Sequence, residues 1–60
     1  MTRDEVQRQV MIRVRVPVGM DGHAAESLER WLQAFPVSFV FSPSYVQAGC
    51  RLLRRELGLA

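Results

Sequence analysis

Gln9-Val10-Met11-Ile12-Arg13-Val14-Arg15-Val16-Pro17 is the stretch on which the fold turns. Read two by two, Val10, Ile12, Val14 and Val16 share one face, and Met11, Arg13 and Arg15 share the other. Strict alternation with β-branched residues on one side predicts a half-buried strand. Its second face is unusual, because it carries two arginines rather than a mixture of small polar and charged groups. Such a face either keeps a strand soluble or offers a reading surface to something anionic. Before Gln9 the alternation falters: Val6 keeps the even register, but Arg8 would point into the core. Residues 1–8 therefore read as a mixed-charge tail, and residues 9–60 as a single small domain.

Downstream, Pro17 suits a strand end, where its missing N–H costs no ladder bond. A short connection with Gly19 and Gly22 follows, and Asp21 suits the N-cap of a first helix. Ala24, Leu28, Trp31 and Phe35, widened by Ala25 and Leu32, recur at helical spacing over residues 23–35. Pro36 ends that helix, because a residue before proline resists the α conformation. The Val37-Ser38-Phe39-Val40-Phe41 run reads either as a short second strand or as an apolar connector. Ser42-Pro43-Ser44 then opens a second helix, with serine as cap and proline in the first turn. Val46, Cys50, Leu53 and Leu57 form its apolar stripe, Gln47, Arg51, Arg54 and Arg55 face away, and Gly58 marks its stop. Gly49 inside it costs about 1 kcal/mol relative to alanine, which points to close approach of another helix. Val14 and Leu53 are expected in the core.

A chain of 60 residues forms one domain. A domain of that size has a marginal core, so a second chain is the expected support. The one cysteine, Cys50, cannot make an internal disulfide. Nor can it complete a metal site with the one histidine, His23. No cofactor motif, metal-spaced cluster or catalytic constellation is present, so an enzyme is not expected. All eight basic residues are arginine, the side chain best suited to phosphate and guanine edges. No apolar run reaches the ~18 residues a membrane helix needs, and the N-terminal residues have no apolar core of a secretory signal. With an unpaired thiol, these features predict a cytoplasmic protein.

Strand, helix, apolar connector, helix, with arginines on the strand's free face, resembles a ribbon-helix-helix DNA-binding protein. The stretch Ser42-Pro43-Ser44-Tyr45-Val46-Gln47-Ala48-Gly49-Cys50-Arg51-Leu52-Leu53 is similar to the second helix of ParD-type antitoxins. The resemblance implies an α+β fold in which two chains pair their strands into one antiparallel ribbon. It further implies a homodimeric, antitoxin-like repressor that binds duplex DNA and regulates transcription. Met11, Arg13 and Arg15 would read bases in the major groove, and Ser42 and Ser44 would hold a phosphate at the helix N-terminus. A protein partner on the C-terminal helix is a further expectation. The interval from Val18 to Phe41 is longer than in that family. The alternative is therefore a β-α-β-α two-layer domain, in which residues 37–41 pair with residues 9–17 and the chain is a protein interaction module.

Overall fold

A computed structural model describes residues 1–15 and 22–59, and among these every regular element is a helix. α1 is Arg3–Val14, α2 Gly22–Gln33, α3 Val37–Val40 and α4 Pro43–Glu56. Both strand assignments are therefore corrected, and with them the α+β ribbon and the β-α-β-α alternative. Residues 9–14 are helical, and residues 3–8, read as a tail, are the opening turns of that same helix. Residues 37–40 form the short helix α3. The strand end at Pro17 and the Asp21 cap lie outside the described residues.

The physical reason for α1 lies in a second periodicity within the same letters. Val6, Val10 and Val14 are spaced four apart, so on a helix they fall on one side, and all three are buried. Ile12, which alternation would place beside Val10 and Val14, is 73% exposed. Arg8, awkward in a strand, simply faces water. The helix also has a start signal: the Thr2 side chain accepts from the Glu5 N–H at 3.2 Å. Asp4 and Glu5 lie in the first turn, where carboxylates oppose the positive end of the helix dipole. Arg15 closes α1 as its C-cap in the left-handed region, at φ 56° and ψ 49°. That conformation costs a non-glycine residue about 1–2 kcal/mol.

α4 is the central element and packs against each of the other three helices. Ser42 caps it, its hydroxyl accepting from the Tyr45 N–H at 3.0 Å, with Pro43 directly after. Its other end closes on Gly58 at φ +73°. There the Gly58 and Leu59 N–H groups donate back to the Arg55 and Arg54 carbonyls, the paired bonds of a Schellman motif. The start and stop of this helix agree with the sequence expectation. α2 runs antiparallel to α4: His23 lies 3.1 Å from Glu56 at one end, and Trp31 stacks on Tyr45 at the other.

The core draws on all four helices, with Val6, Val10 and Val14 meeting Ala24, Leu28, Leu32, Val40, Tyr45, Val46 and Leu53. The expected core residues Val14 and Leu53 are both in it. Two side chains close the C-terminal end of α2. Arg3 donates to the Leu32 carbonyl, and the Tyr45 hydroxyl donates to the Trp31 carbonyl at 2.6 Å. Carbonyls at a helix end lack partners within the helix, so these bonds fasten α1 and α4 to α2. Burial pushes the Tyr45 phenol above its ordinary range, only partly offset by Arg3, so it remains a donor at neutral pH.

Gly49 sits directly beneath the Trp31 indole, the close helix approach that its place in α4 implied. A Cβ there would overlap Trp31 Cη2 and Cζ3 and lie 2.9 Å from Cζ2. Gly49→Ala is expected to lower stability even though alanine is the better helix former. Forcing the indole aside costs about 1–3 kcal/mol, against a gain in helix propensity of ~1 kcal/mol. Thermal melts followed by Trp31 fluorescence check this. A variant more stable than the parent would show that the indole does not cover this position.

Candidate nucleic-acid interface

The amphipathic division of α4 decides what faces water. Val46, Gly49 and Leu53 are buried, which turns Arg51, Arg54 and Arg55 outward, and all three are exposed. Arg51 and Arg55 are one turn apart, and Arg54 lies between them on the same side. The last turn of α1 brings a fourth arginine to this surface. Arg13 lines a shallow groove of about 260 Å³ with Gln47, Cys50, Arg51 and Arg54. A neighbouring groove of about 660 Å³ is lined by Ala48, Arg51, Leu52, Arg54, Arg55 and Leu59. Arg51 and Arg54 border both, so the two grooves form one continuous arginine face.

None of these four arginines makes an ion pair with any described residue. Like charges brought together without carboxylates repel, and the repulsion falls when an anion is bound. Part of it is already offset, because Arg54 and Arg55 lie at the negative end of the α4 dipole. Cys50 borders the smaller groove. Burial pushes its thiol up, outweighing the opposing pull of Arg13 and Arg54, and the thiol rests 3.9 Å from the Val10 carbonyl.

The residues expected to read bases are dispersed by the helical form of α1. Met11 packs partly buried against the core. Arg15 is the exposed C-cap, and Arg13 alone joins the arginine face. Ser42 spends its hydroxyl on capping α4, and Ser44 stands exposed one residue beyond Pro43. The convergence of Arg13 with Arg51 and Arg54 was not read from the sequence. A strand at residues 9–17 separates them, whereas the four-residue spacing of Val6, Val10 and Val14 would have aligned α1 along α4. Among the described residues no group of three or more His, Cys, Asp or Glu is placed to hold a metal ion. Nor, among the described residues, is any helix long and apolar enough to cross a membrane. Comparison with models of protein families, with curated proteins and with solved structures finds no match.

Proposed function

We propose that this chain is a small cytoplasmic DNA-binding protein, rather than an enzyme, whose contact surface is the arginine face of α1 and α4. The observation that carries this reading is the convergence of Arg13, Arg51 and Arg54 on one groove, extended by Arg55, with no carboxylate of the described residues paired to any of them. Guanidinium groups bind phosphate oxygens in pairs, a geometry an ammonium group cannot supply. Arg51 and Arg55 are separated by about 6 Å along the helix axis, enough to span successive phosphates of one strand. The contacts are with the backbone, so they set affinity and orientation before any base is read. A regulatory role would follow from occupying a site on the duplex.

The test is a binding titration of a labelled duplex over a range of salt concentrations. Four neutralised phosphates give a log–log slope of about −3.6, so affinity should fall about a hundredfold between 50 and 200 mM salt. Binding that is absent at low salt, or indifferent to salt, would overturn the reading. The arginine face would then be better matched to an acidic protein surface.

A further inference from the structure

The larger groove, of about 660 Å³, is not lined by arginine alone. Ala48 and Leu52 from α4, and Leu59 from beyond its end, share it with Arg51, Arg54 and Arg55. Leu59 is placed there by the backbone. Gly58 turns the chain at φ +73°, and the Leu59 N–H donates to the Arg54 carbonyl at 2.8 Å. The Leu59 side chain nonetheless stays 52% exposed, with Leu52 half-buried and Ala48 exposed beside the same arginines.

We infer that this groove docks an acidic, amphipathic helix of a protein partner, which closes the arginine face to the duplex. The docking stands on the groove itself, and the exclusion of the duplex rests on the DNA reading above. Charge selects an anion, since none of the three arginines pairs with a described carboxylate. The leucines ask for more than charge. Phosphate contacts engage the guanidinium groups and leave Leu52 and Leu59 in water. Number excludes a simple amphiphile: a fatty acid would cover the leucines but bring one carboxylate to three guanidinium groups. Spacing selects a helix. Arg51 and Arg55 are one turn apart, ~6 Å along the axis, as are carboxylates four residues apart on a partner helix. Leucines at every third and fourth position of that partner then lie over Leu52, Leu59 and Ala48, an amphipathic helix laid in a groove.

The probe is a labelled synthetic helix of glutamate, alanine and leucine, with its leucines at every third and fourth position, followed by fluorescence anisotropy. The parent protein should bind it at least about tenfold more tightly than an equally charged polyglutamate, because burying the leucines adds to the charge contacts. The unlabelled helix should also displace a labelled duplex. Leu52→Ser with Leu59→Ser should lower peptide affinity by on the order of tenfold or more, with the helical circular dichroism and the duplex salt slope kept. Leu59→Ser alone, outside every helix, gives the answer if the double variant loses its helical signal. Ile12→Ser, at an apolar residue 73% exposed on α1, should bind the peptide like the parent. Polyglutamate binding as tightly as the peptide, or leucine variants matching the parent or Ile12→Ser, overturns the inference. So does tighter binding of laurate, which would give the groove to a fatty acid, or simultaneous binding of peptide and duplex. Duplex binding with no peptide binding overturns this inference alone. Leucine-dependent peptide binding with no duplex binding upholds the docking and overturns the DNA reading.

Discussion

Leu53→Ala is expected to abolish the cooperative thermal transition, or to lower Tm by more than about 10 °C. Leu53 lies on the inward side of α4, the helix that touches the other three, and its side chain is fully enclosed. Truncating an enclosed leucine costs about 2–5 kcal/mol, because transfer free energy is lost and a cavity remains. A domain of this length has a total stability of only about 3–9 kcal/mol. The cost is therefore comparable with everything that holds the fold. Leu59→Ala is the matched comparison: Leu59 is 52% exposed, beyond the end of α4, and its loss should change stability by no more than about 0.5 kcal/mol. If both variants melt alike, the inward face of α4 has been assigned wrongly.

The second large effect is on binding. Replacing Arg51, Arg54 and Arg55 together by alanine is expected to reduce duplex affinity by on the order of 100-fold at low salt. It should also flatten the log–log salt slope from about −3.6 to about −0.9, since each lost phosphate contact removes about one unit. All three side chains are exposed and unpaired among the described residues, so the fold should survive. Arg30→Ala is the control. That arginine is also exposed, but it lies on α2 and borders neither groove. An equal loss in both variants would mean that net charge, rather than this face, governs binding.

The sequence was most legible where a local signal had no competitor. Ser42-Pro43 at the start of α4 and Gly58 at its end are side-chain and backbone effects confined to a few residues, and both lie where expected. The α2 stripe was legible in part: Ala24, Leu28 and Leu32 are buried and Trp31 packs against the core, whereas the helix ends at Gln33 and Phe35, read as its last stripe position, is exposed. Residues 9–16 carried two periods at once. Val10, Ile12, Val14 and Val16 alternate as a strand, while Val6, Val10 and Val14 repeat as a helix. β-branched residues favour the first reading. The deciding features lay upstream, in Thr2-Arg3-Asp4-Glu5, whose threonine and glutamate stand at the spacing of a capping box. A few tenths of a kcal/mol per valine in helix propensity is outweighed once three of them are buried.

Legibility of the candidate site follows the same division. The outward face of α4 was readable, because the stripe of Val46, Cys50 and Leu53 fixes where Arg51, Arg54 and Arg55 point. What was not readable is their neighbour. The approach of Arg13 depends on α1 being helical and lying along α4, a tertiary fact that no local spacing within α4 contains. The run from Val37 to Phe41 was less legible: its alternation reads as a strand or an apolar connector, whereas residues 37–40 are helical, with Val40 buried and Phe39 and Phe41 exposed.

The most direct test of the arginine face is an amide chemical-shift titration of isotope-labelled protein with a short duplex. Shifts concentrated at Arg13, Gln47, Arg51, Arg54 and Arg55, weakening as salt is added, are the expected result. Shifts centred on α2 or on the first turns of α1, with the arginine face unmoved, would contradict it.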